Sequence, residues 1–374
     1  MINARALTRT AAFSFSLLAI SATALQPMPA WASGEGEKNP KVTANSVPSP
    51  VPGSAGEVNI YSYREPGLIQ PLMEAFAKQT GIKVNVVYAK DGLIERMAAE
   101  GVNSPADVLL TVDIGRLTDA KDKGITQPIK SEQVDEEIPA AYRDPDGAWV
   151  GLSQRARVVY ASKDRVKQDT ITYAELADPK WKGKICMRSG QHTYNVGLLA
   201  SIIAHEGEEK AMKWAEGVKN NLARKPAGGD RDQVKAIYAG ECDIAVGNTY
   251  YMAAMETSNK PEQREWANSV RLLFPDANDR GTHVNISGAV LAKHAPHKDA
   301  AMKLIDFLAS HEGQKIYAEQ VNEYPLDVDV PISERVNAWG TLNPDKLPLA
   351  DVANNRKKAS EIMDKVGFDQ GPGA

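Results

Sequence analysis

Residues 58–88 read VNIYSYREPGLIQPLMEAFAKQTGIKVNVVY. The opening Val58-Asn-Ile-Tyr-Ser-Tyr63 alternates apolar with polar side chains, the period of a strand with one buried face. Between Gly67 and Gln79 the period lengthens. Leu68, Leu72 and Phe76 recur every four residues with Ile69 and Met73 beside them, and Gly81 is a suitable helix stop. Ile82 to Tyr88 alternates again, Leu93 to Glu100 has helical character, and Ala106-Asp-Val-Leu-Leu-Thr-Val112 is apolar enough for a strand buried on both faces. Strand, helix, strand, helix, strand is the pattern of a doubly wound α/β lobe.

Downstream, Trp149 to Tyr160 predicts another strand, and Tyr173 to Trp181 a short helix and turn. A second α/β set follows: a strand at Cys186, helices near 195–205, 208–217 and 230–239, and a strand from Cys242. His283 to Leu291 returns as a strand. Asp299 is expected to cap a helix running to about Asn322, with Ala300, Leu304 and Leu308 on one face. The expectation is two lobes, 57–152 with 285–330 and 153–284, followed by a C-terminal helical segment over 331–374. The ligand of such a chain belongs in the cleft between lobes, on loops at the carboxyl ends of strands.

Upstream, Arg5 and Arg9 precede the apolar run Ala11 to Leu25, and Ala30-Trp31-Ala32 fits a small-x-small cleavage rule. A signal peptide over 1–32 is expected. Its loss removes two arginines and takes the formal charge from −4 to −6. Residues 33–56, rich in Gly, Ser, Pro and Asn, read as a flexible tether. No basic block points to nucleic acid, and no later run reaches membrane-spanning length, so the mature chain is expected to be exported and not embedded in a membrane. In an oxidising compartment, Cys186 and Cys242, the chain's two cysteines, suit a disulfide. Two buried free thiols are the alternative.

Two stretches carry the chemistry. Cys186-Met-Arg-Ser-Gly-Gln-His-Thr-Tyr194 and Cys242-Asp-Ile-Ala-Val-Gly-Asn-Thr-Tyr250-Tyr251 each run from a cysteine to a tyrosine in eight residues, through a threonine. Phenolates are hard, negative ligands, and three of them would neutralise a trivalent cation. A single Tyr at a strand end is more often packing. A Tyr-Tyr pair on a strand points to opposite faces, so a shared ligand requires a turn or helix start there. No Gly-rich phosphate loop, Gly-x-Ser-x-Gly elbow or His-Glu-x-x-His helix suggests an enzyme.

Asn248-Thr-Tyr-Tyr-Met252, Cys186-Met-Arg-Ser-Gly190 with Tyr194-Asn195, Gly151-Leu-Ser-Gln-Arg-Ala-Arg157 and Asn322-Glu-Tyr-Pro-Leu326 resemble the periplasmic ferric-ion-binding proteins of bacterial ABC transporters. The likeness runs over about 57–365. It implies a type II periplasmic binding-protein fold, an α/β protein of two lobes around a hinged cleft. It implies no catalysis, capture of Fe3+ by Tyr194, Tyr250 and Tyr251, and delivery by a monomer to an inner-membrane ABC permease from the periplasm. Where many members carry a His or His-Tyr ligand after the first strand, this chain has Arg64, Glu65 and Pro66. The opening Tyr-Ser-Tyr-Arg-x-Pro is similar to the subgroup with three tyrosines plus a small anion, typically carbonate or bicarbonate. Tyr63 is a candidate fourth ligand. A bound anion calls for a cation, for which Arg155 and then Arg64 are the candidates. Asn248 and Ser189 are candidates to orient the ligands from behind. An alternative keeps the fold and replaces iron with a small organic or oxyanion solute.

Overall fold

Backbone hydrogen bonds gather the strand segments of the computed structural model, which describes residues 43–47 and 56–373, into one mixed sheet. The strands are β1 (Thr43–Val47), β2 (Glu57–Ser62), β3 (Lys83–Tyr88), β4 (Val108–Thr111), β5 (Thr126–Gln127), β6 (Val150–Ser162), β7 (Ile185–Cys186), β8 (Ile244–Asn248), β9 (Val270–Leu273), β10 (Val284–Ala292) and β11 (Tyr324–Pro325). The order is β1-β3-β2-β4-β10-β6-β8-β7, with β5 on β10 and both β9 and β11 on β6. The parallel β3-β2-β4 core follows from the strand–helix–strand pattern read above. The helix Pro66–Thr80 buries Ile69, Leu72, Met73, Phe76 and Ala77, has proline in its first turn and ends at Gly81 with φ 72°. A left-handed stop of that kind favours glycine.

Every residue of β6 is buried. Its first part pairs with β10 and β11, and its last part with β8 and β9. β6 therefore leaves one half of the sheet (β1–β5, β10, β11) and enters the other (β7–β9), and the chain returns through β10. The parallel neighbours β7 and β8 place Ile185 beside Ile244 and Cys186 beside Ala245. The mixed α/β sheet with flanking helices agrees with the expected fold class. The C-terminal segment holds the helices Glu334–Asn337 and Leu349–Lys365. The longer helix touches both halves: Arg356 pairs with Asp119 at 3.1 Å, and Asp364 accepts from Gln191 at 2.7 Å. Among the described residues no helix is long and apolar enough to cross a membrane.

Three expectations need correction or comment. The signal peptide and most of the tether lie outside the described residues, but Thr43–Val47 within the tether pairs antiparallel with β3, from Thr43 beside Tyr88 to Val47 beside Val84. The physical reason is the edge of β3: a polar segment can pair its backbone there without contributing an apolar face. Asp299 lies inside the first turn of the helix Lys298–Ala309, not at its cap. That helix stops at Ser310, whose side chain accepts from the Gly313 backbone and starts a new helix, His311–Ile316. A serine between two periodic segments caps the second helix more favourably than it continues the first.

Candidate functional site

β8 ends at Asn248 and the helix Thr249–Glu256 begins at once, so Tyr250 and Tyr251 fall in its first turn. This is the strand-to-helix change that the adjacent tyrosines require. Gly247 makes it possible: a Cβ there would lie 2.2 Å from the Tyr160 ring. Tyr160 crosses that gap and donates its hydroxyl to the Asn248 carbonyl, fixing the strand end. β7 ends at Cys186 and leads through a short loop into the helix Thr193–Glu206, with Tyr194 in its first turn. The His192 ring accepts from the Tyr194 backbone at 3.3 Å. The two strand ends are joined by the Cys186–Cys242 disulfide, with Cα atoms 5.9 Å apart.

The three tyrosines meet. The Tyr194 and Tyr250 hydroxyls lie 2.9 Å apart, and the Tyr250 and Tyr251 ring centroids 4.3 Å apart. All three stand at helix N-termini, where the backbone dipole favours negative charge. Burial, followed by Tyr194, pushes the hydroxyls of Tyr250 and Tyr251 well above the ordinary tyrosine range. Arg155 opposes that shift at Tyr250. Tyr250 and Tyr251 therefore hold their protons near pH 7, and a guest of high positive charge would be needed to drive them off.

Behind the tyrosines lies a buried polar hub that the sequence did not disclose. Asp230 accepts from Arg157 at 2.8 Å, from Arg188 at 3.1 Å and from the Asn248 backbone at 2.9 Å. Burial alone would raise its pKa, but Arg157 and Arg188 outweigh burial and hold the carboxyl below its usual range. Arg157 also donates to Asn248 Oδ1 at 3.0 Å and to Asn195 Oδ1 at 2.7 Å, residues close in sequence to Tyr250 and Tyr194. The guanidinium groups of Arg155, Arg157 and Arg188 lie 5.7, 5.6 and 5.3 Å from the Tyr194 ring centroid. The His192 ring stands edge-on to Tyr194, and burial with nearby Arg188 pushes its pKa down to about 3. One signal was present in the sequence: Arg155 and Arg157 are two residues apart on a strand and so share a face.

A cleft of about 590 Å³ opens over the cluster, lined from both halves of the sheet by Tyr63, Arg64, Glu65, Tyr194, Tyr250 and Tyr251 among others. The remaining sequence candidates distribute as follows. Arg155 is buried, donates to Ser287 at 3.3 Å and has one terminal nitrogen without a partner. Asn248 stands beside the hub with its amide nitrogen unpartnered. Arg64, expected as a second anion contact, is instead neutralised by buried Glu323 at 3.1 Å and also donates to Ser287. Ser189 turns away from the cluster and donates to Asp369 of the C-terminal segment, because its loop packs against that segment. Tyr63 faces the cleft, but its hydroxyl accepts from the Ile94 backbone at 2.9 Å. Arg116 lies 3.9 Å over its ring, and burial pushes its pKa up to about 12.

Residues 61–315 match the family model of bacterial extracellular solute-binding proteins. The chain is 42% identical over 319 residues to iron uptake protein A1 of Synechocystis sp., covering 85% of this chain and 89% of that one. Among solved structures it resembles the apo ferric ion-binding protein A of Pasteurella haemolytica, with TM-score 0.81 and 48% identity over 84% of this chain and 99% of that one. It also resembles the Trichodesmium protein IdiA (FutA) solved with iron and citrate ligands, with TM-score 0.78 and 44% identity over 84% of this chain and all of that one.

Proposed function

The chain belongs to the bacterial extracellular solute-binding proteins, and from that premise we propose that it captures ferric iron with Tyr194, Tyr250 and Tyr251 and delivers it to an inner-membrane ABC permease. The observation that carries the reading is the convergence of three phenols from two helix starts, with Tyr194 and Tyr250 in direct contact at 2.9 Å. Loss of three protons gives three hard oxygen ligands whose charge matches Fe3+. The kinship with proteins named for iron uptake and ferric-ion binding supports the same guest. Three phenolates leave the ion's shell incomplete. The unpartnered nitrogen of Arg155 is the group to hold a completing anion, carbonate or an organic carboxylate such as the citrate of the Trichodesmium structure. Asn248 orients the cluster from behind, through Arg157 and Asp230. Tyr63, committed to the Ile94 backbone, shapes the cleft and is a reserve ligand.

The lobes take the bounds 57–152 with 285–330 and 153–284, hinged at β6 and at the return into β10, and the protein works as a monomer in the periplasm after cleavage near Ala32. The test is a titration of apo-protein with a soluble ferric chelate, with and without bicarbonate, following the phenolate-to-iron absorption band. The wild type colours with three tyrosines engaged. Tyr251→Phe lowers affinity by at least about 100-fold, beyond the 10–100-fold typical of outer-shell partners. A wild-type protein that stays colourless at saturating Fe(III) sinks the reading and favours a small organic or oxyanion solute.

A further inference from the structure

Asp113 caps the helix Ile114–Asp122, which follows β4 in the half of the sheet opposite the tyrosine trio. One carboxylate oxygen, Oδ1, accepts from the Arg116 backbone at 3.1 Å. The other, Oδ2, has no hydrogen-bond partner among the described residues, although Asp113 is only 1% exposed. On the other half, Thr193 opens the helix Thr193–Glu206 immediately before Tyr194. Its hydroxyl oxygen is also buried and also without a partner among the described residues. Thr193 and Val112, the residue before Asp113, both line the cleft.

Separate contacts bring these two atoms toward each other. Asn285 of β10, the strand by which the chain returns, accepts from the Ile114 backbone at 2.9 Å through Oδ1. Its amide nitrogen faces the other half: a Cβ on Gly197 would stand 3.3 Å from it. Gly197 is four residues beyond Thr193 and so lies on the same side of its helix. The helix start at Asp113 therefore abuts the helix face that carries Thr193. Burial would push the Asp113 carboxyl up, but Arg116, then Arg356 and Arg155, with Thr193 beside them, hold it below its usual range. The acceptor is thus an ionised carboxylate, and a hydroxyl bond to it would be of the stronger, charge-assisted kind. In this structure that bond is not made. Two buried polar atoms left unsatisfied cost free energy, which favours any displacement that joins them.

We propose that Asp113 is a positioning residue for Tyr194: its free oxygen takes the Thr193 hydroxyl when the guest is held, and so fixes the first turn of the Tyr194 helix against the opposite half. This rests on the metal reading above. Thr193 and Tyr194 are consecutive, so a guest that draws the Tyr194 side chain also shifts Thr193. The bond spans the two halves, so it forms as both settle around one ion. Bond and guest favour the same arrangement, and each therefore strengthens the other by the same factor. Neither Asp113 nor Thr193 is a ligand in this scheme. Both act through the placement of Tyr194.

The experiment takes two readings on Thr193→Val, which keeps the branched shape of the side chain and removes its hydroxyl. Urea unfolding of the apo-protein should give the wild-type midpoint or a higher one, because the hydroxyl has no partner to lose. Release of iron from loaded protein to an excess of competing chelator, timed by fading of the absorption band, should be about ten- to hundredfold faster, the worth of one hydrogen bond to a charged group. The band itself should be kept. Thr193→Ser restores the hydroxyl and should release iron near the wild-type rate. Asp113→Ser keeps a capping oxygen and removes the second one. In that background Thr193→Val should add little. Release from Thr193→Val at the wild-type rate overturns the proposal. A lowered apo midpoint also overturns it, since the hydroxyl would then be bonded before iron arrives. So does a double variant whose two effects multiply, and so does loss of the band in Thr193→Val, which would put Thr193 in the ligand set. A colourless wild type removes both the metal reading and the positioning role, whereas a coloured wild type with an unaltered Thr193→Val rate removes the positioning role alone.

Discussion

Asp230→Asn tests the buried hub most directly. The side chain is enclosed and carries the carboxylate between Arg157 and Arg188, with a third bond from the Asn248 backbone. An amide keeps one oxygen acceptor and loses the charge. Of the three donors, at least one then faces an amide nitrogen, and the buried Arg157 and half-buried Arg188 lose their counter-charge. Removing one partner of a buried pair costs about 3–5 kcal/mol, because the remaining charge stays desolvated. The retained oxygen puts this substitution at the lower end, about 3 kcal/mol. Domains are commonly stable by about 5–15 kcal/mol, so the variant should fold and be clearly weakened. Urea unfolding of the apo-protein at pH 7 reads the loss as a lower midpoint at constant slope. An asparagine variant within about 0.5 kcal/mol of wild type, the range of an ordinary surface change, would refute the hub. It would mean that Arg157 and Arg188 are satisfied without Asp230, and that Asn248 and Asn195 are held by other means.

Three further outcomes follow from the same geometry. Burial and nearby Tyr194 hold Tyr250 and Tyr251 protonated in the apo-protein, so a bound metal must displace protons and affinity must fall as pH falls. Chelator competition between pH 8 and 6 should show a loss approaching about a thousandfold per unit if all three protons leave. Burial, then Arg157 and Arg155, holds the pKa of His283 down to about 3. Its unfolded form binds a proton below about 6.5 while the folded form does not. Its contribution is therefore complete above that pH and is lost as pH falls toward 3. In urea melts across this window, His283→Gln should flatten the acid limb by about 1.4 kcal/mol per pH unit. Reduction of Cys186–Cys242, which closes a separation of 56 residues, removes about 4 kcal/mol on loop-closure grounds and loosens the two strand ends. Iron binding should weaken under reductant without vanishing, and an unchanged affinity would show that the helices alone fix the tyrosines.

The parts of the fold that were legible are those with long periodic signals. Val58 to Val112 alternates and switches period cleanly, and its strands and helices fall within a residue or two of the expected bounds. β5, β7 and β11 are two residues each and carry no period to read. β1 is held by backbone pairing to an edge, which leaves no apolar mark in the sequence. At the site, the tyrosines were legible because Tyr194 and Tyr250 each follow a cysteine at the same spacing, with Tyr251 next in line, and because the surrounding motifs resemble a known family. Their charged surroundings were not. Asp230 meets Arg157 across 73 residues, and Glu323 meets Arg64 across 259. No local pattern reports such partners. Arg64 is therefore a candidate anion contact from the sequence, whereas in the structure its charge is already matched by Glu323.

That distribution of partners bears on what fills the cleft. Among the groups touching the tyrosine trio, Arg64 and Arg231 each have a carboxylate of their own, Glu323 and Glu65. Arg155, Arg157 and Arg188 surround Tyr194, with Asp230 between Arg157 and Arg188 and Asp113 within electrostatic reach of Arg155, which itself has no ion pair among the described residues. On the proposed reading, three phenolates cancel Fe3+ and leave the Arg155 guanidinium without an ion-pair partner. An anion against Arg155 would then bring the filled site closer to neutrality. A divalent ion with three phenolates already carries one negative charge and leaves less for an anion to do. Burying net charge is costly, so the cluster should favour a trivalent ion together with its anion over either alone. The anion's requirement is thus set by unpaired guanidinium charge as much as by empty coordination positions, and a neutral oxygen donor of the same shape should be a poor substitute.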